Sequence, residues 1–142
     1  MSAEANKMIA RRFFDEAWNQ NKVSDLDEYV SVDNVHIGDE NKARPFGPDQ
    51  IRELIRTWRT GLPDFQYHIQ QLISENALVV THVTFTGTHT GVFRVASRIL
   101  PPTDKTINEQ ETIIFRIVSG KIVESWATWD RLSLLEKLGA IS

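Results

Sequence analysis

Residues 110–130 constrain what this chain can fold into more than any other stretch. Ile113, Ile114, Phe115, Ile117 and Val118 precede Ser119-Gly120-Lys121, and Ile122, Val123, Trp126 and Trp129 follow it. β-Branched and aromatic residues on both sides of a glycine turn signal a β-hairpin. The turn type then decides which side chains share a face, because side chains alternate along a strand. A three-residue loop, with a type I turn and Gly120 left-handed as a bulge, pairs residue 117 with 121 and sets 111 opposite 127. A two-residue turn instead sets 111 opposite 128 and reverses the second strand's faces. The bulged register is preferred here. One face then carries Glu109, Glu111, Ile113, Phe115 and Ile117 with Lys121, Val123, Ser125, Ala127 and Trp129. That face reads as the wall of a partly apolar pocket with two carboxylates near its mouth. The opposite face, with Thr112, Ile114, Arg116, Glu124, Trp126 and Asp130, is mixed and suits solvent or a partner.

The 142 residues are read as one domain, residues 1–142, long enough for a sizeable core. A net charge of −3 gives no electrostatic case for nucleic acid or an anionic membrane. No window is apolar enough for a membrane span, and residues 1–7 lack the apolar region of a signal peptide. The absence of cysteine removes thiol catalysis, disulfides and thiolate metal sites. A cytoplasmic location is the resulting expectation.

Ahead of the hairpin, residues 3–20 place Ile9, Phe13, Phe14, Ala17 and Trp18 at helical spacing. A short helix is predicted from Ser24, with Asp27 as a weak capping box and Leu26, Tyr29 and Val30 inward. Residues 33–38 alternate as a strand, and residues 39–46 form a polar loop. Gly47-Pro48 opens a third helix with Ile51, Leu54, Ile55 and Trp58 as its buried stripe and Gly61 at its end. Residues 65–74 and 77–90 read as long strands. Residues 91–105 form an unusually apolar connection, with Val92, Phe93, Val95, Ile99 and Leu100, which is expected to fold over something. Leu132, Leu134, Leu135 and Leu138 make a closing helix stopped by Gly139. Helices first and antiparallel strands after argue an α+β fold: a cone-shaped, curved antiparallel sheet wrapped around the N-terminal helices, with a pocket between them.

Gly87-Thr88-His89-Thr90-Gly91, then Pro101-Pro102-Thr103-Asp104, then Phe115-Arg116, Gly120-Lys121-Ile122-Val123-Glu124 and Trp126, ending in Leu138-Gly139, resembles the SnoaL-like polyketide cyclases. These belong to the nuclear transport factor 2-like superfamily of cone-shaped α+β folds. The resemblance implies a soluble protein without cofactor or metal, binding a hydrophobic small molecule and pairing as a homodimer through its sheet. It also implies acid/base chemistry of the aldol-cyclisation or isomerisation type, in which a base removes a proton next to a carbonyl and a donor steadies the enolate. Placed residue by residue, the family's acid/base Asp falls on Ala127, its His positions on Ile113 and Ser125, and its Gln position on Glu111. Those four share one face in the bulged register.

Glu111 is therefore the candidate acid/base, expected opposite Ala127 with its carboxylate near the vacant place. Desolvation among Ile113, Phe115, Val123 and Trp129 would raise its pKa toward that of a general base. A solvated strand-end Glu is the plainer alternative, and it applies more strongly to Glu109. Trp18, His36, Trp58, Ile113, Phe115, Ser125, Ala127 and Trp129 are the predicted pocket residues, although each Trp taken singly is more simply a core residue. His89 is a candidate for the pocket rim. Asp130 is most simply a helix cap, and Arg116 with Glu124 a diagonal ion pair. No histidine or carboxylate spacing supports a metal, and nucleotide-binding motifs are absent. A pocket protein that binds without catalysis is the alternative function. An isomerase or epoxide hydrolase on the same fold is a third.

Overall fold

A computed structural model describes residues 2–38 and 41–141. Helix α1 (Ala3–Arg12) begins on Ser2, whose hydroxyl accepts from the Ala5 N–H. It runs on into a π-helical segment, Phe13–Asn19. Bonding from i to i+5 widens the turn and brings residues five apart onto one side. Phe13 and Trp18 thus both reach the interior, which the 3.6-residue pattern alone does not require. Helix α2 is a single turn, Leu26–Tyr29. The expected capping box from Ser24 does not form. Asp25 sits at the cap position without a side-chain bond, and Val30 already belongs to a strand.

Eight strands follow: β1 (Val30–Ile37), β2 (Ala43–Pro45), β3 (Gln66–Glu75), β4 (Leu78–Thr88), β5 (Phe93–Val95), β6 (Arg98–Leu100), β7 (Thr106–Val118) and β8 (Lys121–Trp129). Six form one sheet in the order β2-β1-β8-β7-β4-β3, antiparallel except for the β1–β8 pair. Strand β2 lies within the expected polar loop, whose residues 39 and 40 fall outside the described residues. Register shifts interrupt β3 between Ile69 and Gln71, β1 between Val30 and Val35, and the β7–β8 ladder beside Val123. Bulges of this kind bend a strand and increase its twist. They curl the sheet around α1, its π-helical end and α3 (Pro48–Gly61).

The central hairpin corrects the expected turn. Val118 pairs with Lys121 and Ile117 with Ile122, across a two-residue loop in which Ser119 and Gly120 both have positive φ. That is the primed turn whose twist matches the flanking strands. The bulge lies one step further in, at Val123, so Arg116 pairs with Glu124 and Glu111 with Trp129 rather than Ala127. Beyond the bulge, Ser125, Ala127 and Trp129 share a face with Phe115, Ile113 and Glu111, as expected. Nearer the turn the faces differ. Ile122 is buried, while Lys121 is exposed and Val123 only partly covered. Arg116 and Glu124 lie directly across from each other, with Nε and Oε1 3.0 Å apart.

Leu54, expected inside, lies on the open side of α3, whereas Ile51 and Ile55 are buried. Gly61 ends α3 for a packing reason, since a Cβ there would fall 2.5 Å from Phe93. The residue 91–105 connection does fold over something: it forms the β5–β6 hairpin and buries Phe93 against Trp58, with ring centroids 5.0 Å apart. Its Val92 and Ile99 stay exposed. Helix α4 (Arg131–Lys137) is capped by Asp130, whose carboxylate accepts from the Ser133 N–H at 2.9 Å, and Gly139 follows with φ +73°. Leu134, Leu135 and Leu138 are buried there, but Leu132 is exposed. Among the described residues, no helix is long and apolar enough to cross a membrane.

Candidate functional site

The concave side of the sheet, the π-helical segment, α3 and β2 enclose a cavity of about 530 Å³. Its floor is set by strand alternation. Strand pairing lays the inward side chains out in rows: Arg44–His36–Ser125–Phe115, then Ala127–Ile113–Thr81, then Trp129–Glu111–Val83. One end is closed by rings. Trp58 lies 5.5 to 5.7 Å, centroid to centroid, from Phe65, Phe85 and Trp129. Trp18 packs 5.0 Å from Phe65 and 5.2 Å from Tyr67. All of these contacts are edge-on except the tilted Trp18–Phe65 pair, the geometry that aromatic rings prefer over a face-to-face sandwich.

All nine predicted site residues line this one cavity: Glu111, Trp18, His36, Trp58, Ile113, Phe115, Ser125, Ala127 and Trp129. Two polar pairs stand out on its wall. Tyr67 Oη donates to Glu111 Oε1 at 2.8 Å, and Glu111 is only 9 % exposed. Burial, then the negative charge and hydrogen bond of Glu111, hold the Tyr67 phenol well above its usual range, so it stays a donor. On the other side of the Ala127 row, His36 Nδ1 and Ser125 Oγ are hydrogen-bonded at 2.7 Å, and Phe46 packs 4.8 Å from the imidazole. Four residues of strand separate the Glu111 and Ser125 rows, about 13 Å. Ala127 leaves the space between them open.

Other candidates lie elsewhere. Glu109 is buried rather than exposed, bound 2.9 Å from Lys137 Nζ and accepting from Ser133 Oγ, and it fastens α4 to β7. His89 is fully buried away from the cavity. Its Nδ1 meets Thr103 Oγ1 at 2.9 Å, and its carbonyl accepts from the Thr103 and Asp104 N–H groups, so it shapes the long connection and not the rim. Trp126 sits on the outer face under Arg116. His68 and His82 bond Thr86 and Gln110 on that same outer side. Among the described residues, no three His, Asp or Glu side chains gather where they could hold a metal. The functional partner missed from sequence is Tyr67. Its alternation with Phe65 and Ile69 marks it as inward-facing, but its reach to Glu111 crosses β4 and needs the sheet order.

A curved sheet closed over helices, with an aromatic cavity between, places the molecule in the nuclear transport factor 2-like class. The chain belongs to the SnoaL-like polyketide cyclase family, whose model matches residues 8–138. Solved structures agree. The candidate hydroxylase AclR of Streptomyces galilaeus superposes with a TM-score of 0.83 at 26 % identity, covering 99 % of this chain and 100 % of that one. A candidate SnoaL-like polyketide cyclase from Jannaschia sp. CCS1 gives 0.84 at 20 % identity, with 99 % and 95 % covered. IdmH, a candidate polyketide cyclase from Streptomyces antibioticus, gives 0.77 at 22 %, with 94 % and 98 % covered. No curated protein matches by sequence.

Proposed function

We propose that this protein is an enzyme that moves a proton next to the carbonyl of a hydrophobic small molecule, with Glu111 as the acid/base. The observation that carries this reading is the buried Tyr67–Glu111 hydrogen bond on the wall of an apolar cavity. The Glu111 carboxylate takes the proton as the C–H bond breaks, and the electron pair moves to the carbonyl oxygen. Once Glu111 is protonated it no longer competes for the phenol, and the Tyr67 O–H turns to the enolate oxygen. Return of the proton to the same carbon is exchange, and to a distal carbon isomerisation. Attack of the enolate carbon on a second carbonyl closes a ring. Glu111 thereby stands in for the Asp that the family resemblance puts at Ala127.

The test is deuterium exchange of 2-tetralone in D2O, followed by proton NMR. The expected result is exchange above the buffer rate that drops about 100-fold or more in Glu111→Gln. Exchange that is no faster than buffer, or that survives the substitution, refutes the reading. The second reading, a binding protein without chemistry, draws on Ala127, which cannot carry a proton. Binding of the ketone without exchange would favour it.

A further inference from the structure

Strand β3, which carries Tyr67, is the last strand in the sheet order, and among the described residues no strand lies beyond it. Its ladder with β4 shifts register close by, between Ile69 and Gln71. An edge strand next to a bulge is ordinarily the loosest part of a sheet. The proposed mechanism nevertheless needs the Tyr67 phenol held in place, because it reaches across β4 to Glu111.

A strand residue sends its N–H and its carbonyl to the same side. At Tyr67 both groups meet one side chain. The Tyr67 N–H donates to Asn19 Oδ1 at 2.7 Å, and Asn19 Nδ2 donates to the Tyr67 carbonyl at 2.9 Å. The planar amide thus makes the pair of bonds that a neighbouring strand would make. Asn19 is half-buried and ends the π-helical segment, directly after Trp18. The wide turn matters here, since one residue fewer would rotate Trp18 and Asn19 by about 100° around the helix. Other bonds also join the two segments. Arg59 Nη1 donates to the carbonyls of Trp18 and Phe65 at 2.8 and 3.0 Å, and Gln66 Nε2 reaches the Asn19 carbonyl at 3.4 Å. None of these touches the Tyr67 backbone.

We propose that Asn19 is a positioning residue: its amide stands in for the absent outer strand and holds the Tyr67 phenol on Glu111. The catalytic meaning of this clamp rests on the acid/base reading above. Asn19 is not among the residues that line the cavity, so it acts through Tyr67 and not on the ligand. A backbone shift of about 1 Å would open the 2.8 Å Tyr67–Glu111 bond beyond hydrogen-bond length. Misplacement of that size costs up to about 100-fold in rate.

The experiment labels the tyrosines isotopically at Cζ and follows the Tyr67 signal by NMR, with Tyr29→Phe to assign it. Glu111→Ala marks where that signal falls once the contact is gone. Asn19→Ala should move the signal most of the way to that position. It should also lower kcat for 2-tetralone exchange about tenfold while KM changes less than about twofold. Asn19→Ala combined with Tyr67→Phe should be no slower than Tyr67→Phe alone, because the amide works through the phenol. Ser2→Ala, which loosens the fold by removing the α1 cap, should move neither the signal nor the exchange. A Tyr67 signal that stays in place in folded Asn19→Ala overturns the inference, and so do losses that multiply in the double variant. If Asn19→Ala does not fold, the unmodified protein decides. Its Tyr67 amide should exchange with D2O about 100-fold more slowly than an open-edge amide, and exchange at the open rate overturns the clamp. A signal that moves in a protein that never exchanges the ketone keeps the clamp and sinks the chemistry.

Discussion

The chain's two tyrosines, Tyr29 and Tyr67, allow a direct test of the site's electrostatics. They are 1 % and 8 % exposed. Desolvation raises both phenols, reinforced at Tyr67 by the Glu111 carboxylate and opposed at Tyr29 by the Arg12 guanidinium 4.4 Å over its ring. A folded-state pKa above the unfolded one means a contribution to stability that is complete below the unfolded value, about 10. It is lost as pH rises from there toward the folded value. In that window the unfolded chain releases protons that the native state keeps. Each tyrosine then lowers stability by about 1.4 kcal/mol per pH unit, roughly 2.7 for the two. The loss grows with each pH unit toward about 5 kcal/mol, the lower end of what holds a domain of this size together. Tyrosinate absorbance and far-ultraviolet circular dichroism should therefore change together in one cooperative alkaline transition. Tyr29→Phe should leave a single tyrosinate signal that still tracks unfolding. A tyrosine that titrates near pH ~10 in a protein still folded by circular dichroism would refute the burial and the Tyr67–Glu111 contact on which the mechanism depends.

Three further outcomes follow from the same geometry. Tyr67→Phe should fold, lower tetralone exchange by about tenfold or more, and move its pH profile upward, because a carboxylate loses a hydrogen bond that favours its charged form. Gly91→Ala should lower the urea midpoint sharply, by about 3 kcal/mol or more, since its Cβ would sit 1.9 Å from the Thr60 carbonyl oxygen and backbone cannot yield as a side chain can. Asp130→Ala should cost about 1 kcal/mol in the same urea experiment through loss of the α4 cap, with exchange by the folded protein unchanged.

Local patterns carried most of the fold. Period-two alternation located β3, β4, β7 and β8, and helical spacing located α1 and α3, because those elements each bury one clean face. The errors arose where the backbone obeyed something non-local. Leu54 has helical spacing with Ile51 and Ile55, but α3 borders an open cavity there and not a core. Glu109 looks solvated near a strand end until α4 returns over it and supplies Lys137. Gly61 reads as a helix stop, yet its role is to admit the Phe93 ring, which arrives from more than thirty residues downstream.

The site was legible for a more particular reason. The expected hairpin turn was wrong, and the expected face was right wherever it mattered, because both involve one extra residue. Placing that residue in the loop, or at Val123 after a two-residue loop, leaves Ser125, Ala127 and Trp129 on the same side as Glu111. Only the residues between the two positions, Lys121 and Ile122, change faces, and they lie outside the cavity. Parity along β8 therefore survives an error in where the bulge sits, but pairing does not. Glu111 stands beside Trp129, two residues along from Ala127. In the proposed mechanism its carboxylate works from one side of the gap that Ala127 leaves, instead of filling that gap from across it.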